Sequence, residues 1–427
     1  MKKRILLIGG NYAPELTGIG KYNGEMMKWF VNNGLEVTVL TTYPYYPQWS
    51  VHTQYKKISK WFCTEEIKHK TGRETIVRCP HYVPAIPTGF KRLLSDTSIF
   101  FSFFVALIAI LFKKKHDYVI TVAPPFSVGI LGLIYSRFSG ATSIYHMQDL
   151  QIDAAKDLNM IRSKPVLNFL FLIEKFILKN THLNSSISPG MIKKVEQKCG
   201  KEVRFFPNWA DIDAYFPLAD KSKLKSQFGF LADDKIVLYS GAIGEKQGLE
   251  MIIEAAKNSK DLHVKFVICG VGPFKENLEH MARQYQLKNI FFLPLQEAGT
   301  FNAFLNMADV HMVLQKAITS DLVLPSKLMT ILAVGGATIV TAVPNTSLYN
   351  MIHTFNLGIV IAPEVQSDLD SAISTAINTD LQSMRKNARL YAEQHLSIHA
   401  ILSAFSHDVF NIIVTAQEKK HSGIKIC

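Results

Sequence analysis

Two lysines stand where helices should begin. Lys327 follows Ser326 in the run Asp321-Leu322-Val323-Leu324-Pro325-Ser326-Lys327-Leu328-Met329-Thr330, and Lys246 lies in Gly241-Ala242-Ile243-Gly244-Glu245-Lys246-Gln247-Gly248, just ahead of another helical pattern. Pro325 cannot sit inside a helix, Ser326 is a favoured N-cap, and Gly335-Gly336 supplies a left-handed stop. A cation in the first turn faces the positive end of the helix dipole, an unfavourable arrangement unless an anion sits there. Backbone N–H groups, the Ser326 hydroxyl and both ammonium groups would then converge on a phosphate or diphosphate. The plainer reading is a capped helix whose lysine bends into solvent.

A second group of polar residues follows two other apolar runs. Glu15 and Thr17 lie in Pro14-Glu15-Leu16-Thr17-Gly18-Ile19-Gly20, where Gly18 and Gly20 allow a backbone to approach a ligand closely. His146, Gln148, Asp149 and Asp153 follow the run ending at Tyr145. Such groups suit a hydroxylated substrate, although lone carboxylates at strand ends are more often caps or ion-pair partners. No Gly-x-x-x-x-Gly-Lys-Ser/Thr loop is present, and Gly18-Ile19-Gly20 lacks the third glycine and downstream acid of a dinucleotide fingerprint. The five cysteines form no close pair and no metal-ligand spacing, which suits a reducing cytoplasm and no metal.

The elements that must position these residues repeat. Arg4–Ile8 reads as a buried parallel strand, followed by a glycine-bearing loop, a helix over Lys21–Asn32 and a strand over Val37–Thr41. Lys235-Ile236-Val237-Leu238-Tyr239-Ser240-Gly241 echoes that start, with a helix over Leu249–Asn258. Further strands are expected at Tyr118–Val122, Ser143–His146, Ser185–Ser188, His263–Cys269, Ile290–Leu293, Val310–Leu314 and Thr338–Thr341. The fold class is therefore α/β, with two Rossmann-like doubly wound domains, residues 1–208 and 209–389, facing across a cleft. Residues about 390–427 are expected to pack back on the first domain, in a helix running from Leu381 to about Ala416. Ligands in such sheets bind at the carboxyl edge, so Gly270-Val271-Gly272 and Pro294-Leu295-Gln296 should reach the same cleft.

Charge is unevenly placed. Residues 1–210 hold 28 Lys/Arg against 14 Asp/Glu, and the remainder 19 against 21. Zinc spacings, basic arms and RNA-binding aromatic signatures are lacking, so nucleic acid is not the expected partner. The apolar stretch Ile99–Phe112 followed by Lys113-Lys114-Lys115 suits the surface of an anionic leaflet, or equally a buried helix with cations at its end. Tyr43-Pro44-Tyr45-Tyr46-Pro47-Gln48-Trp49 reads as a rigid loop, packing or a substrate wall.

Taken together, Asn11-Tyr12, Pro14 to Tyr22, Pro44 to Trp49, Gln148-Asp149, Phe206-Pro207-Asn208-Trp209, Gly244 to Glu250, Leu324 to Leu328 and Ile331 to Gly336 resemble the retaining glycosyltransferases of family 4. This is a GT-B family that uses nucleotide-diphosphate sugars without a metal, and the similarity is greatest to colanic-acid-type exopolysaccharide fucosyltransferases. The resemblance implies roles. Lys246 and Ser326-Lys327 would hold the donor diphosphate, with Lys246, Lys327, His146 and Asp149 as the catalytic set. Gly18, Gly244, Gly272, Leu295, Asp321, Leu328 and Thr330 would complete the donor site, and Glu15, Thr17, His146, Gln148 and Asp149 would face the acceptor. It further implies a sugar, fucose from GDP-fucose, moved onto a lipid-linked saccharide at the inner face of the cytoplasmic membrane in exopolysaccharide or capsule synthesis. Two departures stand out: Ala242 replaces an arginine of the family loop, and Thr330 stands where the family has a glutamate. An epimerase of the same fold, or a non-catalytic nucleotide-sugar-binding scaffold, are the alternatives.

Overall fold

Short runs of Val, Ile and Leu closed by glycine become strands buried on both faces when helices cover them. The computed structural model describes residues 2–15, 18–69, 71–113, 115–157, 160–161, 163–319 and 325–410. Thr17, Lys114, Asp321, Leu324 and the chain from residue 411 onward therefore lie outside the described residues.

The first domain runs β1 (Arg4–Gly9), α1 (Gly18–Asn32), β2 (Glu36–Thr42), β3 (Cys63–Lys68), β4 (Arg73–Cys79), α2 (Gly89–Leu111), β5 (Tyr118–Ala123), α3 (Val128–Ser139), β6 (Thr142–Met147), α4 (Gln151–Asp157), α5 (Lys164–Asn180), β7 (Leu183–Ser186), α6 (Pro189–Cys199) and β8 (Val203–Phe205). Its sheet has the order β3-β4-β2-β1-β5-β6-β7-β8, parallel except for the β3–β4 hairpin. The second domain runs α7 (Lys221–Gln227), β9 (Lys235–Ser240), α8 (Glu250–Asn258), β10 (Val264–Cys269), α9 (Lys275–Gln284), β11 (Ile290–Leu293), α10 (Ala298–Asn306), β12 (Val310–Val313), α11 (Lys327–Ala333), β13 (Thr338–Thr341), α12 (Ser347–Thr354), β14 (Gly358–Ile361), α13 (Gln366–Asn378) and α14 (Gln382–His395). Its six strands are all parallel, in the order β11-β10-β9-β12-β13-β14. α15 (Ile398–Phe410) ends the described chain.

Both sheets therefore reverse their strand order beside the first strand of the domain, between β1 and β5 and between β9 and β12. Crevices open at the carboxyl ends of such switch points. The loops after β1 and β6, and those after β9 and β12, carry the polar residues singled out above.

Three boundaries differ from the sequence reading. The expected strand Ser185–Ser188 ends at Ser186 because Ser188 caps α6, its hydroxyl accepting from Met191 N at 3.3 Å. The expected segment Ile99–Phe112 is the end of a longer, 23-residue helix that starts at Gly89. The single helix expected from Leu381 is two, because the chain changes domains there. Ala210 N donates to Leu396 O at 2.8 Å and pairs with Ser397 in an isolated bridge, so the backbone leaves its helical path between α14 and α15. Ala388, Ala392 and Leu396 pack in the second domain with Leu328 and Leu332, whereas Leu402, Phe405 and Phe410 pack in the first with Trp29, Phe30 and Phe206. The outgoing strand of chain does the same, since Trp209 belongs to the first core and Ala210 to the second.

This crossing makes Ala210 a sensitive position. Ala210→Pro removes the N–H bonded to Leu396, so denaturant unfolding should show a loss of about 1–3 kcal/mol. Limited proteolysis should cut first near residues 396–398; an unchanged melt and cleavage pattern would count against this crossing as a structural clasp.

Candidate active site

The second domain's half of the cleft is built from interlocking loops. Gly241 N donates to Cys269 O and Ile243 N to Val271 O, each at 2.9 Å, which carries the β9–β10 pairing past the strand ends. A Cβ at Gly270 would run into the Gly241 carbonyl, and one at Gly272 into the Ile243 carbonyl. These glycines are therefore required by backbone packing. They bring the Gly241–Gly248 loop hard against the Gly270–Gly272 loop and leave its other side open to the cleft.

Lys327 rises into that opening from the first turn of α11. Its Nζ lies 3.5 Å from the centroid of the Tyr239 ring and is shut off from solvent without a hydrogen-bond partner among the described residues. A Cβ on Gly241 would meet that nitrogen at 3.3 Å, so glycine makes the room for it. Burial pushes the ammonium well below the ordinary lysine range. The Tyr239 hydroxyl donates to Ala242 O at 2.6 Å, which fixes the ring on which Lys327 rests. Ser326 differs from its expected role: its backbone is already helical and its hydroxyl makes no cap bond. Gly335, with φ at +64°, is the left-handed stop that the sequence implied.

Lys246 is exposed in a short 3-10 turn, Glu245–Gln247, held where Gln247 Oε1 accepts from Gly244 N at 3.1 Å and Lys246 O accepts from Lys316 N at 3.0 Å. The two lysines thus follow adjacent strands, β9 and β12, on either side of the switch point. Leu328 and Thr330 are buried, Leu328 fully and within the second core, so only its backbone is near the loop. Leu295 is partly exposed past the end of β11.

In the first domain Glu15 folds under the start of α1. Its Oε1 accepts from both Tyr45 N and Tyr46 N at 2.9 Å, and its Oε2 accepts from Asn11 Nδ2 at 3.0 Å. Gly20 is the reason it fits, since a Cβ there would overlap the Glu15 side chain at 2.5–2.7 Å. Both carboxylate oxygens are engaged by the protein, and what they hold is the aromatic loop. Gly18, with φ at +58°, faces Tyr46.

His146 lies one layer beneath the cleft. Gln148 Nε2 donates to its Nε2 at 3.0 Å, which leaves the proton on Nδ1 to donate to Ser185 Oγ at 3.0 Å. Burial lowers its pKa to about 3, so the ring is neutral across the physiological range. Gln148 is buried with it. Asp149 is the member of this group that meets the second domain: burial raises its carboxyl to about 6, and the charge of Lys246 pulls it back down. Asp153 points elsewhere, pairing with Lys198.

Two tyrosines that sequence reasoning did not assign complete the arrangement. Tyr46 has its pKa raised by burial and then by Asp149, and Tyr239 by burial and then by Tyr46. Electrostatics therefore link Asp149, Tyr46, Tyr239 and Lys327 across the cleft. Tyr239 sits in an ordinary apolar strand and carries no local signal.

Two doubly wound sheets opposed across a cleft, with cations on one wall and polar loops on the other, define the GT-B class of glycosyltransferases. Residues 220–395 match the model of the family "Glycosyl transferases group 1". An Escherichia coli (strain K12) protein that carries the name colanic acid biosynthesis glycosyl transferase WcaI is 40% identical over 414 residues, 95% of this chain and 99% of that one. The chain belongs to the group 1 glycosyl transferases. The fold is shared with sucrose-phosphate synthase from Thermosynechococcus elongatus, at TM-score 0.75 and 17% identity over 96% of this chain and 99% of that one. It is shared too with Anabaena HepE, solved with UDP and glucose, at TM-score 0.70 and 14% identity over 96% and 100%.

The buried Glu15 sets a pH signature. Burial raises its pKa from 4.5 to about 7, its three N–H partners opposing the shift. The folded protein therefore holds this proton more tightly than the unfolded chain, and the contribution is lost as pH rises from about 4.5 through about 7. At about 1.4 kcal/mol per unit this amounts to roughly 3 kcal/mol. Glu15→Gln should remove the slope, so its stability relative to the parent, measured in urea at pH 5 and pH 8, should improve at the higher pH. Parallel changes in the two proteins would show that Glu15 does not titrate in this range.

Proposed function

We propose that this chain transfers a sugar from a nucleotide-diphosphate sugar onto a lipid-linked saccharide during assembly of a colanic-acid-type exopolysaccharide, in the cytoplasm and without a metal. The observation that carries this reading is the buried ammonium of Lys327, unpartnered among the described residues and packed against Gly241 of the loop that bears Lys246, whose charge Asp149 feels from the first domain. A buried cation without a partner is costly, and a diphosphate seated against it would remove that cost while gaining charge-assisted hydrogen bonds. As the bond from the anomeric carbon to the diphosphate oxygen breaks, negative charge grows on the leaving group, and preorganised cations there stabilise the transition state more than the ground state. The acceptor hydroxyl oxygen forms the new bond to the anomeric carbon, and its proton passes to an oxygen of the departing diphosphate. Retention and GDP-fucose as donor belong to the same proposal, on the strength of the family resemblance and the similarity to WcaI.

Lys327→Ala should lose about 10²-fold or more in turnover while staying folded, with a melting temperature in the absence of nucleotide no lower than the parent's, since the variant no longer buries an unpaired charge. Lys246→Ala should behave similarly but more mildly, its ammonium being exposed. Thermal shift with a panel of nucleotide sugars, followed by mass analysis of the product on a lipid-linked acceptor, checks donor and transfer together. Full turnover in both variants would sink the diphosphate assignment.

The outer face of the first domain supports a membrane-surface role. Ile99, Phe103, Leu107 and Ile110 of α2 are buried, but its opposite face leaves Phe101, Phe104, Val105 and Ile108 exposed, with Phe112 87% exposed at its end. Its most apolar 18-residue window has a mean hydropathy of 2.1, long and apolar enough to cross a membrane by length and composition, although one third of that window is buried. On α5, Val166, Phe169, Leu172 and Phe176 are exposed at helical spacing, among Lys164, Lys175 and Lys179. Aromatics flanked by lysines suit the interface of an anionic leaflet. Replacing Lys113–Lys115 with Gln should weaken co-sedimentation with phosphatidylglycerol vesicles, at about 1 kcal/mol per charge; undiminished pelleting would favour a packed helix with no lipid contact.

A further inference from the structure

A second aromatic and polar cluster lies in the first domain, between the loop after β2 and the first turns of α2. The Tyr45 ring meets the Trp49 ring edge-on at 5.5 Å and the His81 ring at 4.8 Å. The Arg92 guanidinium lies 5.2 Å from the centre of the half-exposed indole of Trp49. Asp96 Oδ2 accepts from Gln151 Nε2 at 2.6 Å, and Gln151 Oε1 accepts in turn from Phe126 N at 2.8 Å, so the carboxyl is held from behind by α4.

Three features of this cluster go beyond packing. Trp49 has a φ of +52°, a left-handed backbone that a bulky residue keeps only where its surroundings impose it. His81 Nε2 is shut off from solvent with no hydrogen-bond partner among the described residues. Burial raises the Asp96 carboxyl to about 6 and lowers His81 to about 3, so the site offers a carboxyl and a neutral imidazole beside two aromatic rings. A pyranose ring matches that set, having an apolar C–H face to lie on an indole and hydroxyls that both donate and accept.

We infer that Trp49, Tyr45, His81 and Asp96 form the subsite for the acceptor sugar, with its ring on Trp49 and its hydroxyls on Asp96 and His81. This deepens the glycosyl-transfer reading and rests on it. The location suits the role. The neighbouring Tyr46 feels the charges of both Asp149 and Arg92, so the cluster borders the cleft where the donor lysines stand. On its other side Phe90, Leu93 and Leu94 are exposed around Arg92 on α2, where a lipid tail would leave the site. Glu15 takes a different part from direct acceptor contact here, since it secures Tyr45 and Tyr46 and so sets the wall of the subsite.

The test uses the full chain with oligosaccharides released from colanic acid by mild acid as the probe. Binding is read by saturation-transfer NMR, and nucleotide-sugar binding separately by thermal shift. Trp49→Ala and Asp96→Asn should each weaken oligosaccharide binding about tenfold with the nucleotide-sugar shift unchanged, and Trp49→Phe should restore most of the affinity. Asp96→Asn is nearly isosteric and keeps the test decisive if Trp49→Ala does not fold. Unaltered oligosaccharide affinity in both variants overturns the subsite, as does parent protein that binds none of the oligosaccharides. Parent protein that binds oligosaccharide at Trp49 but no nucleotide sugar would instead overturn the glycosyl-transfer reading and leave the sugar subsite standing.

Discussion

A single buried ammonium makes the strongest demand on this molecule. The Lys327 ammonium is shut off from solvent with no hydrogen-bond partner among the described residues, which proteins ordinarily avoid because an isolated charge loses several kcal/mol of hydration there. Its surroundings are built to tolerate it. The Tyr239 ring gives it a polarisable face, and Gly241 leaves space that any side chain would fill. The tight approach of the Gly241 and Gly270 loops and the start of α11 at Lys327 are both needed to keep the nitrogen in that position. Such an arrangement costs stability in the free protein, a cost that the proposed diphosphate would remove.

The first domain solves the opposite problem. Glu15 is buried as a whole residue, but both of its oxygens are used, and the result is a fixed loop. His146 is likewise satisfied on both ring nitrogens and stays neutral. These two residues hold the wall of the cleft in place, while Asp149, Tyr46 and the Trp49–Asp96 cluster make up the surface proposed to meet ligands. The polar residues after β1 and β6 thus divide into supports and contacts according to how many partners the protein already gives them.

α2 joins the two ends of the proposed reaction path. Its inner face is part of the core beneath β1, its first turns carry Arg92 and Asp96 to the cleft, and its outer face is apolar and exposed. With the apolar face of α5 it makes one side of the first domain unlike the rest of a water-facing surface. The basic excess of residues 1–210 belongs to the same domain.

Much of this was legible in the amino-acid order. Short apolar runs, closed by glycine at β1, β9 and β10 and by proline shortly after β5, β11 and β13, marked these strands to within a residue or two, and the repeated start at Lys235 revealed two similar halves, because burial on both faces leaves little freedom in strand composition. Lys246, Lys327 and Asp149 were visible as charges at strand and helix ends. The β3–β4 hairpin, β8 and β14 were not, being short or mixed in polarity, and neither was the break at Leu396, whose cause is Ala210 on a distant stretch of chain. Tertiary structure alone decided which polar groups are already satisfied. Glu15 and Asp149 look alike in sequence, yet one is occupied by backbone N–H groups thirty residues away and the other faces a lysine of the opposite domain. Hydrogen-bond satisfaction is a property of neighbours in space, and no spacing along the chain encodes it.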